Sequence, residues 1–593
     1  MDYKLKVTKI KLSGNDMTLT MNGFIRSDRY RDYVPRARIV MVFDNGTENR
    51  RLPLVIKQEG TKDGVYTFSG RYRYEMQHVF WKTQESTRKF SLRFQIFFGE
   101  EFEDQAEFDA SEVIFERRDT LYSHEFKDKE VVFSYRPAKT LPLPGSIRSI
   151  LTAVRTVCTV AIGIALIPWS VMEVLFSLFG AGGLSKRVRT RDYKTRLISQ
   201  ILSRFRDMTG IEVNRLWFKR STLAVINVFS KARGVKKNRI TFVSARNKEP
   251  SKNFTLVRDE LARRGSYEFL FQTYTKPVEE MSFRELVKLS RALATSRIVL
   301  LEEYTPALKE IKMRKGTSLI QLWHAAGAFK TGGFARMGKP GGALQSNVAH
   351  RNYDYVTVSS KFCQYCHAEG FGLSDYNVVP TGIARTDVFF DAAYKAQKRE
   401  EFYSRFPVFA DKKIVLFAPT FRGNSRKEAF YSFEHFDVGD VAEALGNDYV
   451  LIIKHHPFVN GKHPIPKEYE DRVVDLTEGY DINDLLFVTD IVITDYSSLI
   501  YEASLLDIPM LFYTYDYTEY ARDRDFYFDL KLLSPGKLVY SQEEIVNAIR
   551  NEDFHTENMK KFKELFFDHL DGKSSARIAD LIEKEIKTRR NTK

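Results

Sequence analysis

From about residue 235 the sequence changes to short apolar runs separated by amphipathic helical stretches, and it does so twice in succession. The first series holds NRITFVSA, YEFLFQTY, SRIVLLEE, TSLIQLWH and YDYVTVSS, with helical segments such as SFRELVKLSRALA between them. The second begins at KKIVLFAPTFR and continues through DYVLIIKHHP, RVVDLT, DIVITDYSS and IPMLFYTYD. Parallel strands need a crossover, usually a helix, and their two covered faces give continuous rather than alternating apolar runs. The expected fold class is therefore α/β, a pair of Rossmann-like lobes over 235–400 and 401–593, the latter including two closing helices, ENMKKFKELFFDHL and SARIADLIEKEIK.

The preceding sequence obeys a different period. Over 1–135, KLKVTKIKL, MTLTMNGFI, ARIVMVF and KFSLRFQIFF alternate apolar with polar residues, broken by turns such as Asp44-Asn45-Gly46. This pattern predicts an all-β, sandwich-like accessory domain. Residues 136–234 read as a linker with its own character: three prolines (Pro137, Pro142, Pro144), then an uncharged stretch from Thr156 to Met172 and another from Val174 to Ser185. Seventeen helical residues reach roughly 26 Å, short of a ~30 Å hydrocarbon core, and Pro168 would kink them. Helices lying in the membrane interface are expected, not a spanning one.

The net charge of +15 is concentrated: residues 181–240 contain sixteen Lys or Arg against Asp192, Asp207 and Glu212. A basic block beside an apolar segment suits an anionic membrane surface. It carries no recognised nucleic-acid motif or stacking platform, so no nucleic-acid partner is expected. Cys158, Cys363 and Cys366 cannot build a disulfide framework, and MDYKLKVTKIKLSG lacks a signal-peptide core, which points to the cytoplasmic side of the membrane.

Four clusters follow predicted strands, where open α/β sheets bind ligands. His324 stands in Gln321-Leu322-Trp323-His324-Ala325-Ala326-Gly327, followed by Lys330; an imidazole at a strand end can take a proton from a hydroxyl. Thr420 and Arg422 offer a hydroxyl and a guanidinium for phosphate. His455 and His456 project to opposite faces of an extended segment, so they are not expected to share a metal. Thr494-Asp495-Tyr496-Ser497-Ser498 ends a strand and opens a helix, a place where backbone N–H groups and serine hydroxyls can hold phosphate. Cys363-x-x-Cys366-His367 has no second pair and is read as structural. No metal or cofactor is expected.

At these residues the sequence resembles the CDP-glycerol glycerophosphotransferase family of teichoic acid polymerases and primases. The most specific segment is TDYSSLIYEASLLDIPMLFYTYDYTEYARDRDFYFDL, supported by WHAAGAFKTGG, IIKHHPF, VPTGIARTDVFF and HLDGKSSARI. Ala325 stands where the family usually has glycine. The resemblance implies a GT-B-like lobe pair and transfer of glycerol- or ribitol-phosphate from a CDP-alditol to a lipid-linked polymer acceptor, with release of CMP. His324 and His456 would be catalytic. Lys330, Arg385, Asp387, Thr420, Arg422, Thr494, Ser497 and Ser498 would bind the donor. The β-domain's length looks more like that of ribitol-phosphate polymerases. The sequence does not choose between ribitol and glycerol, and it is compatible with a homo-oligomer. The competing reading is a GT-B glycosyltransferase that uses a nucleotide sugar.

Deleting 156–185 is expected to abolish co-sedimentation with anionic vesicles; unchanged sedimentation of the deleted protein would contradict the interfacial assignment.

Overall fold

The computed structural model describes residues 1–30, 32–81, 89–118, 122–127, 130–135 and 215–590, except 245–248, 275–279, 306–307, 309–310, 312, 340–341, 346–349, 424–427 and 460. The interfacial segment expected at 156–185 lies outside these residues. Among the described residues no helix is long and apolar enough to cross a membrane.

Two sheets face one another at the amino-terminal end. One orders its strands Ile56–Lys62, Val65–Glu75, Asp16–Arg26, Asp2–Ser13 and Ile114–Arg118; the other orders Tyr122–Lys127, Glu130–Tyr135, Lys89–Phe98, Ala37–Asp44 and Asn49–Pro53, with Glu101–Ala106 against Lys89–Phe98. Alternation along each strand sends one set of side chains inward. Val7, Leu19 and Met21 from the first sheet and Phe43, Phe94 and Phe133 from the second share one core.

Two parallel sheets follow. The first orders Glu268–Thr273, Arg239–Ser244, Ile298–Leu301, Ser318–Gln321, Tyr355–Thr357 and Val378–Val379. The second orders Val473–Asp475, Tyr449–Ile453, Lys413–Phe417, Ile491–Thr494, Met510–Tyr513 and Lys537–Val539. Their central strands are wholly buried, as at Ile298–Leu301 and Ile491–Thr494, which explains their unbroken apolar runs.

The closing helix Ser574–Arg590 departs from the expected boundary at 401–593. It crosses back to the first lobe, where Ile578, Ala579, Ile582 and Ile586 join the core around Phe242 and Phe254. Asp387 fixes its start: the two carboxylate oxygens accept from the Ser574 and Ser575 N–H groups, each at 2.8 Å. Such a cap satisfies amides that a helix cannot pair internally and opposes the helix dipole.

The β-sandwich is fastened to the lobes by charge. Arg51, only 1% exposed, grips Asp375 through Nε at 2.7 Å and Nη2 at 2.6 Å, and lies over the Tyr365 ring. Arg38 pairs with buried Glu369. Tyr33 donates to Asp529 of the second lobe at 2.7 Å. The sandwich thus contacts both lobes.

A separate compact unit contains helix Arg215–Ser230 and the beginning of helix Phe283–Thr295. The Ser230 and Ser290 hydroxyls meet there at 3.2 Å. Val225, Val228 and Phe229 leave an exposed apolar stripe at helical spacing.

Candidate active site

The strand Ser318–Gln321 delivers His324 to the junction of the lobes. Trp323 turns the chain with a φ of 59°, a costly conformation for a bulky residue. Asn253 holds it, donating to the Trp323 carbonyl at 2.7 Å while accepting the Arg385 N–H at 3.1 Å. His324 Nδ1 lies 3.1 Å from the Glu302 carbonyl. A carbonyl only accepts, so Nδ1 carries the proton and the lone pair of the neutral ring is on Nε2.

The loop then runs directly onto the second lobe. At Gly327, φ is 69° and an added Cβ would stand 2.1 Å from the Tyr501 ring; only glycine permits this approach. Glu502, 1% exposed, accepts the Ala326 N–H and pairs with Arg385. Both partners come from the first lobe, whereas Glu502 belongs to the helix Leu499–Leu505 that follows Ser497 and Ser498. Further along, Tyr527 N–H donates to the Phe329 carbonyl at 2.9 Å and Lys330 Nζ lies 3.4 Å from Thr420 Oγ1. Burial pushes the Lys330 ammonium down to about 8; Asp495 opposes the shift, while Arg524 and Arg422 reinforce it.

On the second lobe, Thr420, His456 and Ser497 follow the ends of three neighbouring strands. His456 packs on Phe421, and its Nδ1 accepts the Phe458 N–H at 3.1 Å. In the neutral ring this places the proton on Nε2, opposite to the state of His324. Ser497 Oγ accepts the Leu499 N–H at 3.3 Å, and exposed Ser498 makes no capping bond. His455 points the other way, into a buried pair with His463 at 3.2 Å; burial pushes it down to about 4, with His463 adding to the shift.

Four residues expected at the donor are committed to contacts within the protein. Arg422 donates through Nε at 2.6 Å and Nη2 at 3.0 Å to Asp516, and through Nη1 at 2.9 Å to Asp495. These carboxylates keep it protonated despite burial, and Tyr496 and Tyr520 enclose it. It braces the site from behind. Thr494 spends its hydroxyl on the Ala418 carbonyl at 2.8 Å, tying two strand ends together. Asp387 caps the closing helix. Arg385, the fourth, joins the lobes through Glu502.

Sequence reasoning missed Glu502, Asp495, Asp516 and Asn253. Only Glu502 left a local signal, an acid inside the apolar helix LIYEASL. Cys363 and Cys366 are buried thiols, and His367 Nδ1 bonds to the Cys363 carbonyl at 2.8 Å. No group of three metal-ligating side chains is gathered among the described residues.

Two Rossmann-like lobes joined through the loop after His324 and the helix after Ser498 make a GT-B-like architecture. The model of the CDP-glycerol:poly(glycerophosphate) glycerophosphotransferase family matches residues 224–584, and the chain belongs to that family. It is 41% identical over 377 residues to the teichoic acid poly(ribitol-phosphate) polymerase of Bacillus spizizenii, covering 63% of this chain and 61% of that protein. It is 37% identical over 360 residues to the ribitol-phosphate polymerase TarK of Staphylococcus aureus, covering 60% and 70%. The match thus spans about three fifths of the first relative's length. Among solved structures, a variant of the wall teichoic acid polymerase TagF superposes with a TM-score of 0.53 at 21% identity, over 68% of this chain and 99% of that one.

Replacing Glu502 with Gln leaves Arg385 without its countercharge at a buried contact. Stability is expected to fall by about 3 kcal/mol, read as a lower urea midpoint with unchanged slope. An unaltered midpoint would contradict the role given to this pair.

Proposed function

We propose that this chain transfers an alditol phosphate from a CDP-alditol to the terminal hydroxyl of a lipid-linked teichoic acid acceptor, releasing CMP. The observation that carries the reading is the opposite bonding of the two imidazoles: His324 Nδ1 faces the Glu302 carbonyl and His456 Nδ1 faces the Phe458 N–H. In the neutral rings this leaves the His324 lone pair on Nε2, suited to a base, and a proton on His456 Nε2, suited to an anion. Relatives named for ribitol phosphate share 36–41% identity with the chain, those named for glycerol phosphate 24–30%. This favours CDP-ribitol as donor. A TagF structure soaked with CDPG supports a cytidine donor class. The basic block beside the apolar segment supports a peripheral site at the cytoplasmic membrane face.

In this mechanism His324 Nε2 takes the proton of the acceptor hydroxyl as its oxygen attacks the alditol-bearing phosphorus. The bond from that phosphorus to the CMP oxygen breaks, CMP leaves with the electron pair, and a phosphodiester forms. Lys330, His456 Nε2–H, Ser497, Ser498 and the Thr420 hydroxyl stabilise charge on the diphosphate. Arg422 and Asp495 hold Thr420 in place through the Asp495 contact to its N–H at 2.8 Å. Phosphoryl transfer depends chiefly on such positioning and charge stabilisation.

His324→Ala is expected to slow CMP release from CDP-ribitol at least ~100-fold while the unfolding midpoint stays near that of the parent. Near-normal release would contradict the assignment, and faster turnover of UDP-sugars than of either CDP-alditol would contradict the reaction class.

Lys330 is charged below about 8 and neutral above. The charged form favours the anionic donor, so kcat/KM for donor should fall as pH rises through that value. Lys330→Met should lower kcat/KM and abolish this limb; a limb that persists in the variant would assign it to another group.

A further inference from the structure

The first lobe's segment from Lys330 to Lys339 runs beside Arg522–Phe526 of the second lobe, and Thr331 N–H donates to the Asp525 carbonyl at 3.1 Å. Both segments are rich in cations. Arg336 Nη2 donates to the Asp523 carbonyl at 2.7 Å, and Arg524 reaches the Gly423 carbonyl. Lys339 pairs with Asp525, whose charge also acts on Arg36 of the β-sandwich; Arg36 is held by Glu59 at 3.0 Å. A line of five cations, from Lys330 through Arg524, Arg336 and Lys339 to Arg36, lies among the carboxylates of Asp495, Asp523, Asp525 and Glu59. Burial makes Arg336 and Lys339 harder to protonate, and neighbouring cations add to this: Arg524 acts on Arg336, and Arg36 and Arg38 act on Lys339. Crowded like charge is costly and is relieved by an anion.

The line is reachable. Arg36 is exposed, and Lys339 and Arg524 are half-buried. Gly332 and Gly338, both exposed, place no side chain over the path. It begins beside the His324 loop and ends on a domain that contributes nothing to the chemistry described above.

We infer that these cations form a track for a flexible polyanion with repeated phosphodiesters, the already polymerised part of the acceptor, with the β-sandwich supplying its outer end. This inference rests on the transfer reaction proposed above. A single acceptor unit would engage only the inner end, whereas a longer chain would also reach Lys339 and Arg36, so affinity should grow with chain length and weaken with salt.

The test uses the full chain and fluorescent ribitol-phosphate oligomers of one and about ten repeats, with anisotropy read at low and high ionic strength. The parent is expected to bind the long oligomer at least about tenfold more tightly. Arg36→Gln with Lys339→Gln should lose about tenfold for the long oligomer, change little for the single repeat, and show a shallower salt dependence. Arg36→Gln alone, at an exposed position, should show part of the effect with normal unfolding, and Arg36→Lys should restore it. Equal affinity for both lengths in the parent, equal losses for both in the variant, or competition by RNA of matched charge as effective as by the oligomer would overturn the track. Length-dependent binding without CMP release from any CDP-alditol would instead overturn the proposed reaction and leave the track standing.

Discussion

The arrangement depends on one buried carboxylate. Glu502 has almost no access to water, and an ionised carboxylate is costly there unless it is paired and hydrogen-bonded. Its own lobe supplies one backbone N–H, that of Glu502 itself. The first lobe supplies the countercharge of the Arg385 guanidinium and a second amide from Ala326. Separating the lobes at this point would strand a charge. The Ala326 contact lies two residues from His324, and Glu502 lies four residues after Ser498. The pair that joins the lobes therefore also sets the relation between the proposed base and the hydroxyl-rich turn. Gly327 completes the contact by admitting the Tyr501 ring where any side chain would collide.

The remaining constraints reinforce this geometry from outside. Arg422, enclosed by two aspartates and several tyrosines, turns the ends of three strands into one rigid floor. The β-sandwich attaches to the first lobe through Arg51 and Arg38 and to the second through Tyr33. A domain fixed to both lobes restricts their relative motion, and it brings Arg36 to the end of the cationic line that starts at Lys330. In this account the accessory domain acts as a brace and as a contact surface for polymer.

Much of this was legible in the sequence because it depends on local periodicity. The alternating strands before residue 135, the buried apolar runs after 235, and the positions of His324, Thr420, His456 and Ser497 after strand ends all follow from patterns a few residues long. What the sequence concealed was which polar groups are already committed. Thr494 and Arg422 are suited to phosphate by chemistry and Asp387 is matched through the family resemblance, yet the first bonds to Ala418, the second to Asp495 and Asp516, and the third to the helix starting at Ser574. These partners lie 76, 73, 94 and 187 residues away in sequence, and a lone sequence does not show such pairings. The same limit misplaced the closing helix, whose apolar face fits either lobe by pattern and packs on the first.

The central claim is that one junction holds the donor's diphosphate opposite the His324 imidazole. A crystal structure of the full chain with a non-hydrolysable CDP-ribitol analogue tests it most directly. The account predicts diphosphate oxygens within ~3 Å of Lys330 Nζ, Ser497 Oγ and His456 Nε2, with the alditol-bearing phosphorus open to attack from the side of His324 Nε2. A diphosphate bound elsewhere on the second lobe, with His324 facing away from it, would contradict the account.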